Sequence, residues 1–218
     1  MAFVKLFHVR TDTDPAGASL LSFRPAHPFT HKAGQFGLWI AGGSARPFTI
    51  ASAPGDEFVQ LGTHLHSGSR IKRALSALGP GDTVRFLGPI GGIAPPDDGS
   101  AVVYVTQGIG VTPARALIRE RPARPQTLIH VGAPHFRAEL EPLVDEAVFP
   151  AGRVDLADAL TAAAASGDGS HFLVAGSNGF VRATSALLKQ HGIDASHIHA
   201  DGFLGLPDSG TSVMAAAR

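Results

Sequence analysis

Arg46-Pro47-Phe48-Thr49-Ile50-Ala51-Ser52 sets a fixed cation, an aromatic ring and two hydroxyls in one short run. In an extended chain successive side chains point to opposite faces, so Arg46, Phe48 and Ile50 share one face and Pro47, Thr49 and Ala51 the other. Such a strand offers one face to a planar ring and its end to a phosphate-bearing tail. The same residues also suit a half-buried strand with a solvated Arg and a core Phe, and a motif this short does not separate the two.

Two further stretches carry anion chemistry. Gly68-Ser69 leads into Arg70–Leu78, where Ile71, Ala74, Leu75 and Leu78 recur at helical spacing. The free N–H groups and dipole of that helix start form an anion site, with Arg70 beside it. Plain capping by Ser69 accounts for the same residues. Gly108-Ile109-Gly110-Val111-Thr112-Pro113 follows an apolar run and opens another helix, with Thr112 expected as its cap and Pro113 in its first turn. Strand, glycine turn and helix in that order is what a dinucleotide pyrophosphate requires, although any tight strand-to-helix turn also uses the glycines. Val174-Ala175-Gly176-Ser177-Asn178-Gly179 is a second such turn. His64 with His66, and His197 with His199, each set two imidazoles on one strand face. No third ligand is evident beside either pair, so no metal is expected.

The elements that position these residues change character along the chain. Phe3–Val9, Ser19–Arg24, Phe36–Ile40, Arg46–Ala51, Phe58–His64 and Thr83–Leu87 read as short strands joined by turns, the pattern of an antiparallel barrel, with Arg70–Leu78 as its one helix. Pro95–Ser100 has linker composition. Beyond it come continuous apolar runs, at Ala101–Val105, Gln126–Val131 and His171–Ala175, which suit strands covered on both faces. Helical stretches lie among and after them, at Pro113–Arg119, Arg137–Ala147, Leu156–Ala165 and Gly179–His191, so a parallel, doubly wound sheet is expected. The division is placed at 97/98, giving domains of residues 1–97 and 98–218. The small, polar Asp208–Arg218 tail is expected to be loosely held.

Bulk composition narrows the chemistry. Lys plus Arg and Asp plus Glu number 18 each among 218 residues, so no overall field favours nucleic acid or membranes and any basic site is local. There is no cysteine, which excludes disulfides, thiolate zinc sites and a cluster held by four thiolates. Redox chemistry here needs an organic cofactor. The N-terminal run alternates like a strand, and nothing approaches the ~18 apolar residues of a membrane span. A soluble, cytoplasmic protein is expected.

Arg46–Ser52 resembles the R-x-[YF]-[ST]-x-x-S flavin signature of the ferredoxin-NADP reductase superfamily. Further matches follow in that family's order: Gly34-Gln35-Phe36 before it, Leu78–Asp82 and Gly88–Gly92 after it, and Thr106–Pro113 at the pyridine-nucleotide loop. The likeness spans roughly Phe3 to Pro207. It implies a Greek-key β-barrel that binds FAD, followed by an α/β domain that binds NADH or NADPH. By resemblance, Arg46 and Gly68-Ser69-Arg70 hold the flavin pyrophosphate. Pro47, Phe48 and His64 line the flavin, with Phe48 stacked on the isoalloxazine and the Thr49 hydroxyl near N5. Gly108, Gly110, Thr112 and Pro113 take the nicotinamide dinucleotide, with Gly176 and Ser177 at the facing turn. Asp201-Gly202-Phe203 matches the family's closing acidic and aromatic element, Phe203 covering the flavin. Thr49 and Phe203 are thus the candidate catalytic residues.

Three positions depart from the pattern: Phe48 where Tyr is commoner, Gln107 where Gly is usual, and Ala175 where relatives carry Cys. Arg137, after the second parallel strand, suits a 2′-phosphate or is a solvated helix residue. The expected function is hydride transfer from NAD(P)H to FAD and onward to a separate acceptor, such as a ferredoxin, flavodoxin or oxygenase component. A flavin or ferric-chelate reductase with a diffusible acceptor is the alternative within the fold. A non-catalytic nucleotide-binding subunit is the alternative from another class.

Overall fold

The computed structural model describes residues 3–121, 123–166 and 169–203; of Ser67, Ser166 and Phe203 it describes the backbone alone. The tail 208–218 lies outside the described residues. Six antiparallel strands come first: β1 (Phe3–Thr13), β2 (Ser19–Pro25), β3 (Phe36–Ala41), β4 (Ser44–Thr49), β5 (Val59–Thr63) and β6 (Thr83–Ile90), with helix α1 (Arg70–Ser76) between the last two. They pair in the order β4-β3-β6-β1-β2-β5. The outer strands approach where the chain beyond β4 meets β5: Ala51 N–H donates to Gln60 O at 2.8 Å, and Gln60 N–H to Ser52 Oγ at 3.2 Å. That contact curls the sheet toward a barrel. Its interior is filled by Phe23, Trp39 and Phe86, whose rings meet at 5.4 and 5.1 Å, with Leu6, Leu21, Ile50 and Leu61 around them. Ile71 and Leu75 of α1 belong to the same core, which explains the apolar helical spacing read there.

Five parallel strands follow: β7 (Val102–Gln107), β8 (Gln126–Val131), β9 (Glu146–Val148), β10 (His171–Ser177) and β11 (Ile198–Phe203), ordered β11-β10-β7-β8-β9. Their connections carry α2 (Val111–Glu120), α3 (Arg137–Leu140), α4 (Arg153–Ser166) and α5 (Asn178–Gln190). Alternate residues of one strand serve opposite faces. Val102 and Tyr104 of β7 pack with α2, while Val103 and Val105 pack with α4 and α5. Both faces are covered, so the strands read as unbroken apolar runs.

The α2 face is also the barrel-facing one. Leu20 of β2 and Ala18, Ala33, Ala51 and Ile93 from the segments flanking the barrel strands join Val111, Ala114, Leu117 and Ile118 of α2 in a single apolar cluster. Between the sheets, Arg124 holds residues 95–100: its guanidinium donates to Pro96 O at 2.8 Å, to Ser100 O and to Asp98 Oδ1 at 3.4 Å.

The helix expected over 137–147 is a correction. It stops at Leu140, gives a 3-10 turn at Glu141–Leu143, and continues as strand β9. Pro142 lacks the N–H the helix would need, and Asp145 N–H instead donates to Gln126 O at 2.9 Å, drawing the chain onto the sheet edge.

Candidate functional site

β7 is the first strand of its sheet; β8 and β9 lie on one side of it and β10 and β11 on the other. The order therefore reverses between β7 and β10, and the crevice beyond their carboxyl ends is where open α/β sheets bind ligands. Two turns border it, Gln107–Gly110 and Ser177–Gly179. They are tied together: Ser177 Oγ donates to Gln107 Oε1 at 2.8 Å and accepts the Phe180 N–H at 3.3 Å as the α5 N-cap. Gln107, where a Gly is usual, thus braces the two turns.

The glycines at this crevice have different causes. Gly108 has φ +53, and an added Cβ there meets nothing within 4 Å, so its backbone faces open space. At Gly110 a Cβ would stand 2.5 Å from Ala175 O, and at Gly176 it would stand 2.9 Å from both Gln107 Cβ and Phe180 Cδ1. Those two glycines let α2 and α5 start close against the strands. Ala175 itself is fully buried in the core.

Thr112 is not the cap of α2, which corrects the expectation. A 3-10 turn over Gly108–Gly110 runs straight into the helix, Gly110 is already helical at φ −60, and Val111 is the first helical residue. Thr112 sits one residue further in and its Oγ1 donates back to Ile109 O at 3.1 Å; Pro113 remains in the first turn. Ser69 holds the N-cap position of α1 with an extended backbone, but its side chain makes no capping hydrogen bond. Gly68 before it is left-handed at φ +69.

Burial deepens toward the end of β4. Pro47 is exposed, Phe48 is half-buried against the barrel core, and Thr49 is buried. Trp39 Nε1 donates to Phe48 O at 3.2 Å, which fixes the strand beneath the ring. Arg46 is half-exposed; its Nη1 donates to the neighbouring Ala45 O at 3.1 Å, and it pairs with no carboxylate among the described residues. Helix α1 packs on β3 and β4. The Arg70 guanidinium lies over the turn between them, its Nη2 2.9 Å from where a Gly43 Cβ would be.

The two halves of the site meet at Gly62 in β5. A Cβ there would stand 2.6 Å from Thr112 Cγ2 and 3.7 Å from both Ala51 Cβ and Phe136 Cζ. The end of the β4 segment, at Ala51, and the start of α2, at Thr112, therefore meet at one point although they are far apart in sequence.

Arg137 is engaged elsewhere. It forms a bidentate pair with Glu141 at 2.9 and 3.1 Å and lies over the Phe149 ring at 4.3 Å. Its guanidinium, by hydrogen bonding, holds the Glu141 carboxyl below the usual carboxylate range. Asp201 of β11 is half-buried, and desolvation pushes its carboxyl up. The backbone of Phe203 ends β11 opposite Ser177; its side chain lies outside the described residues. His64 faces His135 across the domains at 2.9 Å, whereas His66 is exposed. Among the described residues no group of three or more His, Asp or Glu is arranged to hold a metal ion.

Arg115 was not visible as a site residue. It is 3% exposed and makes a bidentate pair with Glu139 at 2.7 and 2.8 Å, while Nη1 donates to Ala51 O at 2.5 Å and Gln60 Oε1 at 2.9 Å. A charged residue within the apolar stretch V-T-P-A-R-A-L-I was the available signal, since a buried Arg must find acceptors.

This arrangement, an antiparallel barrel sheet leaning on a parallel α/β sheet with a crevice at the switch point, is the ferredoxin-NADP+ reductase fold. Among solved structures, a ferredoxin NADP+ reductase from Neisseria gonorrhoeae, determined with bound FAD and NADP, matches with a TM-score of 0.77 at 17% identity, over 93% of this chain and 99% of that one. The ferredoxin reductase of carbazole 1,9a-dioxygenase matches with a TM-score of 0.79 at 18% identity, over 93% and 69%. The Amycolatopsis cytochrome P450 reductase GcoB matches with a TM-score of 0.76 at 20% identity, over 93% and 70%. No family model and no curated protein matches by sequence. Among the described residues no helix is long and apolar enough to cross a membrane.

Proposed function

We propose that the protein is an FAD-dependent oxidoreductase that takes a hydride from NADH or NADPH and passes electrons to a separate acceptor, with residues 1–97 as the flavin domain and 98–218 as the nucleotide domain. The contact at Gly62 carries the reading, because it sets the flavin-motif segment and the start of α2 side by side. The residues fit such a group. Arg46 and Arg70 are cations without a carboxylate partner among the described residues, and Gly68 and Gly108 present left-handed backbone to open space. Bound FAD would supply the conversion of a two-electron donor into single-electron deliveries.

The chain's own part is placement. Arg46, Gly68, Ser69 and Arg70 would bind the pyrophosphate, with Pro47, Phe48, Thr49 and His64 along the ring system. Gly108, Gly110, Thr112, Pro113, Gly176 and Ser177 would hold the nicotinamide dinucleotide, with Arg137 at its adenosine end. Phe203, from the end of β11, would cover the ring. Hydride transfer demands near-attack separation, so the fixed seam between barrel and α2 matters more than any proton-transferring group.

Solved structures of this fold include reductases named for oxygenase and P450 systems, which supports a redox protein as acceptor. The test is an absorption spectrum of the purified protein before and after anaerobic NADH, then NADPH. Flavin absorbance that bleaches is the expected result. A yellow protein that does not bleach would leave a binding subunit, and a colourless one that oxidises NAD(P)H only with added flavin would leave a diffusible-acceptor reductase.

A further inference from the structure

Asp14 lies in the turn between β1 and β2, His64 just beyond β5, and His135 in the loop between β8 and α3. They join in one line across the two domains. Asp14 Oδ2 is 3.2 Å from His135 Nδ1 and accepts the Phe136 N–H at 3.2 Å, while its other oxygen accepts the Ala16 N–H. His135 Nε2 is 2.9 Å from His64 Nε2. The Asp14 and His135 side chains are 8% and 2% exposed.

A carboxylate only accepts, so His135 Nδ1 carries a hydrogen. Its Nε2 is then bare in the neutral ring, and His64 Nε2–H must donate into it. A proton added at His64 Nδ1 leaves that bond in place. A second one, at His135 Nε2, sets two N–H groups head to head and the bond cannot exist.

We propose that Asp14, His135 and His64 form a proton-counting latch between the barrel and the 132–136 loop, closed while it holds up to one added proton and released by the second.

The neighbouring charges fit this use. His66 and Lys72 of α1 stand near His64. His130 lies 6.3 Å from the His135 ring, and its own nitrogens are taken by Ala133 O at 2.7 Å and Thr106 Oγ1 at 2.8 Å, so its tautomer is set. Beyond Phe136, Arg115 and Glu139 are paired with each other. Burial first, then the positive field of His135, Lys72 and His66, lowers the His64 pKa against the opposing pull of Asp14. The folded chain therefore binds this proton less readily than the unfolded chain does. Its contribution to stability is present above the ordinary value of 6.5 and is lost as pH falls below it toward the lowered value.

The loop it holds borders the crevice, since a Cβ on Gly132 would be 3.9 Å from Gly108 N. Release would loosen one wall of the nucleotide site. That coupling rests on the proposed function; the latch itself does not.

The test is amide hydrogen exchange at Phe136 in the full chain without nucleotide, corrected for intrinsic rates, from about pH 8 to about pH 5. Local opening should rise by up to about tenfold per pH unit for each proton taken up. His64→Gln faces His135 with an amide that can donate or, turned over, accept, so a proton on His135 Nε2 no longer breaks the contact and the dependence should flatten. An equal slope in that variant overturns the latch. Nitrogen NMR of the wild-type imidazoles needs no variant: linked titration of the two rings is expected, and independent titration overturns the proposal.

Discussion

Replacing Gly62 with alanine tests the seam on which the site is built. The new Cβ would lie 2.6 Å from Thr112 Cγ2, about 1 Å short of ordinary carbon contact. The Thr112 methyl cannot turn away freely, because its hydroxyl is bonded to Ile109 O at 3.1 Å; changing rotamer gives up a bond worth about 1 kcal/mol. The other relief is for α2 to retreat from β5, which strains the Arg115 bonds to Ala51 and Gln60. Overpacking of this kind costs roughly 1–3 kcal/mol. Alanine returns about 0.5–1 kcal/mol by restricting the unfolded chain. The net loss is up to roughly 2.5 kcal/mol, a fall in Tm of about 2–4 °C for each kcal/mol in a chain of this size. Scanning calorimetry reads it directly. Thr112→Ser keeps the hydroxyl and removes the methyl, so the Gly62→Ala, Thr112→Ser pair should recover most of the loss. A Gly62→Ala variant more stable than the parent, or a pair no better than the single change, would refute the contact.

Arg115→Met should cost about 3–5 kcal/mol, because it strands the Ala51 carbonyl, Gln60 Oε1 and Glu139, with Glu139 eased by Arg119 at 3.4 Å; denaturant melts showing no change would contradict the buried network. Arg46→Ala should leave Tm of the flavin-free protein alone and lower FAD affinity tenfold or more, since each charge-assisted bond is worth roughly 1.5–3 kcal/mol and ~1.4 kcal/mol is a factor of ten. Full flavin in the purified variant would remove Arg46 from the site. Arg137→Ala should reduce kcat/KM with NADPH far more than with NADH, and equal losses would mark Arg137 as a partner of Glu141 only.

Legibility in the sequence followed the range of the interaction. The apolar runs near 102–107, 126–131 and 171–177 showed as buried strands because periodicity is local, and the Gly108 and Gly176 turns showed because their glycines sit beside the strands they end. The 137–147 stretch misled because Arg137–Leu140 is helical, and the edge pairing that takes over comes from Gln126. Thr112 has cap chemistry, but the 3-10 turn before it had already begun the helix. Arg115 and the Asp14–His135–His64 line were not legible. Arg115 reaches acceptors 55 and 64 residues away, and the line spans separations of 71 and 121. No local pattern encodes such partners.

The apolar cluster shared by both sheets limits how this chain can be recombined. Ala18, Leu20, Ala33, Ala51 and Ile93 are small or medium side chains shaped to the α2 surface of Val111, Ala114, Leu117 and Ile118. A barrel borrowed from a solved structure of the same fold would bring its own side chains to that surface, and at identities of 17–20% few would match. Cutting at the linker and grafting a foreign partner would leave voids or clashes in a dense interior. Moving the cut past α2 does not help, because β7 lies between the linker and α2 and is the central strand of the parallel sheet; a working chimera must therefore rematch the facing side chains of this cluster wherever the chain is joined.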